Sequence, residues 1–422
     1  MCFGNVPKDL CLTSLASLRS TASKSTNGFF SADIRTVGAL LQYQRSPGVQ
    51  VTAESITVPA TQLGSVYTLP VGTVPSDVSV SKDGLIIAVG LNAVTQGDSV
   101  VSIFTNTAGF YTETVIPLPV DASATSQIGE VSLNDSGDIL ALGIPTDNNS
   151  IGAVWIYYLV AGVWTLQGPK ITGPGEIGAG SFGVKVSLDG YGTLLAVGSS
   201  EDDGSKGAAY IFNINYPLAP VFVQKLTGLG STEEFGYSVN FSSDGSTLAV
   251  GAPSIFSGTT NGAVYIYTND QGVWSQQVLL PAPPGFAIYG ITVSLSGDGY
   301  LLAIGSYDNI ATSYRKPGHV GLSAWEYGPV IPLPYDLVGA LNLYSASLSQ
   351  DGNTLCTSNS INNGNVGASW IFTQGPFGTW IQNGPGFVGT GGTLIQGQSG
   401  SLSGNGKYVA ITNQVSELWV FV

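Results

Sequence analysis

Residues 237–253 read YSVNFSSDGSTLAVGAP, two strand-like runs around a polar turn. Tyr237 to Phe241 forms a first strand. Ser243, Asp244 and Gly245 supply the turn, the glycine admitting a positive φ that other residues resist. Thr247 to Val250 returns as an almost wholly apolar run, the pattern of a strand covered on both faces. Beyond the loop from Gly251 to Asn261, Ala263 to Tyr267 reads as a third strand, Asn269 to Gly272 as a turn and Trp274 to Leu280 as a fourth. The stretch therefore predicts a four-stranded antiparallel meander.

The same pattern, (V or A)SxSxDGxxLAVG followed by a loop and GAxYIF, occurs seven times, marked by Gly84, Gly137, Gly190, Gly245, Gly299, Gly352 and Gly406 at spacings of 53 to 55 residues. One meander cannot bury both of its faces, so the copies must pack on one another, and radial stacking predicts an all-β, seven-bladed β-propeller over residues 64–422. The last copy stops at its third strand, Glu417 to Val422. Ser65 to Pro70 (SVYTLP) ahead of the first copy matches the fourth-strand pattern of Glu113 to Pro119 (ETVIPLP). Val66 to Leu69 is therefore expected to pair with Leu418 to Phe421, closing the last blade and removing two exposed edges.

Phe182-Gly183 and Phe235-Gly236 open the third and fourth copies, and Gly251-Ala252-Pro253 follows the second strand of the fourth. These units resemble FG-GAP repeats, the propeller repeats of integrin α-subunits and of many secreted or surface proteins. The pattern departs elsewhere: Tyr289-Gly290 stands for FG in the fifth copy, Gly143-Ile144-Pro145 for GAP in the second, and the seventh keeps neither. The resemblance implies the fold. Function does not transfer with it, because propellers host enzymes, lectins and scaffolds alike.

Composition narrows the functional classes. Charged residues are 9% of the chain, and 57 glycines with 22 prolines favour turns and short strands over long helices. No apolar run approaches the roughly 18 residues of a membrane helix, so no membrane insertion is expected. A net charge of -14 argues against a nucleic-acid partner, since counterion release needs clustered cations. The opening residues lack the basic start and apolar run of a secretory signal. Cys356 reads as a core residue, and whether Cys2 and Cys11 bridge is open.

Calcium is the cofactor that the resemblance raises, because calcium-binding members carry DxDxDGxxD in the first hairpin. Here the hairpins hold about one carboxylate each, so Asp83, Asp189, Asp244, Asp298 and Asp351 are expected to bond local backbone amides. Acids concentrate at Asn134, Asp135 and Asp138, and at Glu201, Asp202 and Asp203, the last three being the candidate calcium ligands. Trp164, Trp274 and Trp380 follow equivalent turns, and Trp155, Trp325, Trp370 and Trp419 are assigned to third strands, a repeat-locked placement that points to blade packing rather than sugar stacking. With one arginine after residue 63, Arg315, and one histidine, His319, neither a sialidase-like arginine cluster nor a Ser-His-Asp site is supported. No enzymatic activity is expected, paired channel carboxylates being the one route left open. The candidate binding loop is Ser306 to His319 of the fifth copy, which gathers Tyr307, Asp308, Tyr314, Arg315, Lys316 and His319, residue types favoured at binding hot spots.

Residues 1–63 lie outside the repeats. Lys8, Arg19, Lys24, Arg35 and Arg45 against Asp9, Asp33 and Glu54 give them a net +2, leaving -16 to the rest. So short a segment makes little core of its own, and it is read as an attachment or homo-oligomerisation arm. A weakly charged, Gly/Ser/Thr-rich propeller with such an arm resembles virion fibre, decoration or appendage proteins. The expected partners are proteins of a larger assembly or a surface receptor or glycan. A lectin-like adhesin on an extracellular surface is the alternative, and a carbohydrate-active enzyme comes third. Closure carries a prediction: deleting residues 64–70 removes ladder bonds and buried side chains worth about 1.5–3 kcal/mol each, so the melting temperature should fall sharply. An unchanged melt would mean that the ring closes otherwise.

Overall fold

The computed structural model describes residues 30–31, 51–52, 61–94, 99–123, 126–230, 233–254, 262–284, 286, 288–306, 312–315, 325–331, 345–359, 367–375, 378–390 and 396–422. The chain divides into two units, residues 1–57 with 374–381, and residues 58–373 with 382–422. In the first, β1 (Phe30–Ser31) and β2 (Val51–Thr52) pair in parallel. Of the arm expected over residues 1–63, only residues 30–31, 51–52 and 61–63 are among the described residues.

The repeats form successive four-stranded antiparallel sheets. A short opening strand, β3 (Tyr67–Thr68), precedes them. The first sheet is β4 to β7 (Thr73–Val80, Ile86–Ala93, Val100–Thr107, Phe110–Pro117). Next come β8 to β11 (Val131–Leu133, Ile139–Ile144, Ala153–Val160, Val163–Leu166) and β12 to β15 (Lys185–Leu188, Leu194–Ser199, Ala208–Asn213, Val221–Leu226). The fourth is β16 to β19 (Ser238–Phe241, Thr247–Ala252, Ala263–Asp270, Val273–Pro281). The fifth is β20 to β23 (Thr292–Leu295, Leu301–Gly305, Thr312–Arg315, Glu326–Val330). After β24 to β27 (Ser345–Leu348, Thr354–Asn359, Ala368–Gln374, Trp380–Gln382), the last sheet is β28 to β30 (Gln396–Leu402, Val409–Asn413, Glu417–Phe421), completed by β3. The first strands β4, β8, β12, β16, β20, β24 and β28 touch in that succession, and β28 touches β4 again.

Closure follows the expected direction but a different register. Tyr67 pairs with Leu418 and Thr68 with Glu417. Pairing then resumes upstream, where Gln62 bridges Phe421, Leu63 N donates to Val420 O (2.7 Å), and Thr61 and Val422 exchange backbone bonds. The closing segment therefore includes Thr61 to Leu63, ahead of the boundary expected at 63/64, with an irregularity between Leu63 and Tyr67. Leu69 is buried beside Val89 and Leu418, which anchors it.

The first hairpins of five sheets share one device, while in the second sheet Asn134 stands at the serine position and its Oδ1 accepts Asp138 N (3.1 Å) and Ile139 N (3.0 Å). Ser81 Oγ donates to Asp83 Oδ1 (2.8 Å), Leu85 N donates to the same oxygen (2.9 Å), and Ile86 N donates to Ser81 Oγ (3.0 Å). Ser242 with Asp244, Ser296 with Asp298, Ser349 with Asp351 and Ser403 with Asn405 repeat it. The third sheet departs from the expectation. Asp189 sits at the serine position and takes Thr193 N and Leu194 N on Oδ1, and the positive-φ glycine is Gly192 (φ 67°), not Gly190. Gly190 belongs to something else, a ring of backbone bonds. Lys82 N donates to Asp135 O (3.0 Å), Asp135 N to Gly190 O (3.1 Å), Gly190 N to Ser243 O (2.8 Å), Asp244 N to Gly297 O (3.0 Å), Gly297 N to Gln350 O (2.8 Å), Gln350 N to Gly404 O (2.8 Å), and Asn405 N to Lys82 O (2.8 Å). The circuit returns to its start. The Asp135 side chain also accepts Ser243 Oγ (2.8 Å) and, from across the ring, Gln350 Nε2 (2.5 Å).

The core lies between sheets: Ile139, Val154 and Ile156 of the second are buried in one cluster with Leu195, Val197 and Tyr210 of the third. At the entry to the third and fourth sheets the FG phenylalanine packs on a third-strand ring, Phe182 edge-on to Tyr210 at 5.2 Å and Phe235 to Tyr265 at 5.0 Å. The glycine near the end of the second strand, which faces the FG glycine of the next sheet, has a steric reason. A Cβ on Gly198 of β13 would lie 2.0 Å from the carbonyl oxygen of Gly236, which opens the next sheet, so only glycine lets the two backbones approach. Gly198→Ala should therefore lower stability by about 3 kcal/mol, the upper range of overpacking, in a urea melt. A loss within error of the wild type would mean that the sheets are not interlocked at this point.

Candidate functional site

The axial channel is walled by the inner strands, whose outward-facing N–H groups need acceptors. The neighbouring sheet supplies them. Leu133 N donates to Ser79 Oγ (3.0 Å), Leu188 N to Ser132 Oγ (3.0 Å), Phe241 N to Ser187 Oγ (2.9 Å), Leu295 N to Asn240 Oδ1 (2.7 Å), Leu348 N to Ser294 Oγ (2.9 Å) and Leu402 N to Ser347 Oγ (3.1 Å). Two residues earlier along each strand the channel carries Asp77, Glu130 and Lys185 in three consecutive sheets, facing a cavity of about 170 Å³. Val131 N donates to Asp77 Oδ2 (3.3 Å) and Ser399 Oγ to Asp77 Oδ1 (2.9 Å), across the closing junction. Val186 N donates to Glu130 Oε2 (2.7 Å), and Lys185 Nζ lies 3.1 Å from Glu130 Oε1.

Burial governs the protonation of this triad. It pushes the Glu130 carboxyl up to about 7, against the pull of Lys185 and with help from the neighbouring Asp77 charge. Burial raises Asp77 as well, again opposed by Lys185. For Lys185 burial acts downward, but the Glu130 and Asp77 carboxylates outweigh it and hold the ammonium above the ordinary lysine range.

A second constellation repeats on the sides of the second and third sheets. Lys170 Nζ lies 2.5 Å from Asp147 Oδ2, donates to Asp121 O (3.0 Å) and rests 5.5 Å from the centre of the Trp155 ring. Fifty-five residues on, Lys225 Nζ lies 2.6 Å from Asp202 Oδ2, donates to Gly175 O (2.7 Å) and rests 5.2 Å from the Tyr210 ring. Both aspartates are 1% exposed at the side chain. Each lysine is thus held by a carboxylate, a carbonyl and an aromatic face. Burial pushes nearby Glu176 up to about 7, despite the hydrogen bond from Ser199 Oγ and with the Asp202 charge adding to the rise.

The expected calcium ligands are not gathered. Asp202 turns inward to accept Tyr210 OH (2.9 Å) and Ile177 N (2.7 Å) beside Lys225, while Glu201 and Asp203 face solvent. Among the described residues no three metal-ligating side chains converge. Of the candidate binding loop, Tyr307, Asp308, Lys316 and His319 lie outside the described residues. Tyr314 and Arg315 are not in a loop: they belong to β22, where Tyr314 pairs with Leu302 and Tyr327, and Arg315 with Leu301 and Glu326. The third strand therefore comes before, not after, His319, and Trp325 precedes the fourth strand rather than sitting in the third. Sequence reasoning missed Asp77, Glu130 and Lys185. Their signal was positional, since the residue before each V/A/G-x-V/L/F inner strand is charged in three copies and Ser or Thr in the other four.

No family model matches the chain, and no curated protein sequence matches it. Among solved structures, a chain of the mitotic checkpoint complex superposes with a TM-score of 0.59 at 14% identity, over 89% of this chain and 96% of that one. The β-propeller domain of Cps50 (Swd1) from Myceliophteria thermophila gives 0.58 at 14% identity, over 85% and 98%. The chain folds as a β-propeller. The likeness at this identity establishes the fold of four-stranded antiparallel blades and nothing of the ligand.

The triad makes stability depend on pH. For Glu130, raised from 4.5 to about 7 in the folded chain, ionisation begins first in the unfolded state. The resulting penalty is absent below pH 4.5, grows up to about pH 7 and is constant above it. Glu130→Gln keeps the volume without the charge. The melting temperature of this variant relative to the wild type should therefore rise between pH 4.5 and 7 and then level off. A difference that stays flat or falls with pH would contradict the assignment.

Proposed function

We propose that the chain is a non-enzymatic recognition propeller with seven FG-GAP-like blades, which presents its outer loops to a protein partner in a larger assembly on a virion or extracellular surface. The observation that carries this reading is the engagement of the channel groups. A glycosidase needs an acid and a base whose oxygens reach the substrate, whereas both oxygens of Asp77 and both of Glu130 are bonded to neighbouring blades. The seven-blade count is supported by the 53–55 residue period and by the inner strands following one another back to β4.

A protein partner is favoured over a glycan by the tryptophans. Trp155, Trp274, Trp370 and Trp419 are at most 2% exposed, so their indole faces are used between blades. The surface setting is supported by a weakly charged composition rich in small and hydroxylic residues. Two measurements test the proposal together. The full chain should give no turnover on a panel of chromogenic glycosides and peptides, and it should co-purify through a high-salt wash with gradient-purified particles or surface fractions of its source. Turnover that drops about a hundredfold or more, the scale of a lost general acid, in Glu130→Gln would overturn it.

A further inference from the structure

The repeat contains its own template for a ligand. In the second and third blades a lysine from the outer segment lies over the aromatic residue of the third strand and meets a buried carboxylate. In the fourth blade the aromatic ring and a carboxylate are present, and the lysine is not. Tyr265 stands 55 residues after Tyr210. Its register partner in β19 is Leu279, just as Lys225 is the partner of Tyr210 in β15. The Tyr265 hydroxyl donates to Glu233 Oε2 (2.7 Å) as the Tyr210 hydroxyl does to Asp202 Oδ2 (2.9 Å). Among the described residues no cation pairs with Glu233.

Leu279 is too short to reach that carboxylate, and a cavity of about 360 Å³ remains where the ammonium and its stem lie in the preceding blade. Its walls are apolar at Leu229, Ala252, Ala263, Leu279 and Ala282, and its polar end is Glu233 with the Tyr265 hydroxyl. We infer that this cavity is a binding site for a primary ammonium on an alkyl stem, the side chain of a lysine presented by a partner protein. The stem would lie along the alanine and leucine walls, and the ammonium would meet Glu233 over the face of Tyr265, as Lys225 meets Asp202 over the Tyr210 ring in the preceding blade. Attraction of a cation to an aromatic face and to a half-buried carboxylate is strongest where water is excluded, and the apolar walls supply that exclusion. That the amine comes from a protein rests on the recognition reading above. The cavity's preference for an alkylammonium does not.

The test uses the full chain with Nα-acetyl-lysine amide as the probe and its Nε-acetylated, uncharged counterpart as the control, followed by saturation-transfer NMR. The charged probe should bind and the neutral one should not. Glu233→Gln should weaken binding about tenfold or more, the scale of losing a charge-assisted contact. Leu279→Lys should abolish binding by filling the cavity from within, and should melt no lower than the wild type because its ammonium meets Glu233. Equal binding of both probes, no binding of either, or unchanged binding in a folded Leu279→Lys chain would overturn the inference. A chain that binds the probe yet enters no assembly would refute the recognition reading alone; one that enters an assembly and ignores the probe would refute this site alone.

Discussion

The structure hangs on the circuit of backbone hydrogen bonds that joins the first hairpins. An inner strand of a blade has one free edge, and its N–H groups must find acceptors or carry the cost of an unmet donor. At the hairpins they find the carbonyl of the next blade, from Lys82 round to Asn405 and back to Lys82. Along the strands they find the neighbour's Ser, Asn, Asp or Glu side chain. Both solutions require every blade to stand at the same height and rotation. The repeat length is consequently held to 53–55 residues, while the outer loops are free to differ.

That constraint explains why the channel holds charges at all. An acceptor is wanted before each inner strand, and most copies meet the need with a hydroxyl. Asp77 and Glu130 meet it with carboxylates, and the single Lys185 beside them neutralises part of the charge that two buried acids would otherwise leave. Burial is the first cause of their raised pKa values. The lateral lysine clamps follow a comparable logic, since Asp147 and Asp202 are each buried with a cation, a carbonyl and an aromatic ring around them.

Much of the fold was legible in the sequence because the repeat superposes three independent signals: a turn, an apolar strand and an aromatic third strand. Legibility failed where one residue substitutes for two roles. Asp189 takes over the serine's amide contacts, so the turn glycine moves to Gly192 and the glycine counted in its place belongs to the circuit. In the fifth copy, Thr312 to Arg315 carries tyrosine and arginine where siblings carry an apolar run, so a strand reads as a loop. The clamps were illegible because Asp202 and Lys225 are far apart in the chain and meet only after the sheet has folded. Asp77, Glu130 and Lys185 were visible only as deviations from a hydroxyl, a difference that acquires meaning once the channel is known.

The side-chain bridges between inner strands also bear on how the molecule comes apart. In an open array of repeats an end unit can fray while the rest stays folded, because each unit leans on a neighbour on one side only at the terminus. A closed circuit has no terminus. Opening it anywhere exposes the donors of one blade and the acceptors of another at once, and the last sheet is itself completed from the opposite end of the chain, where Tyr67 and Thr68 pair with Leu418 and Glu417. A partner that clasps both sides of that pairing would hold the ring closed without touching any other blade.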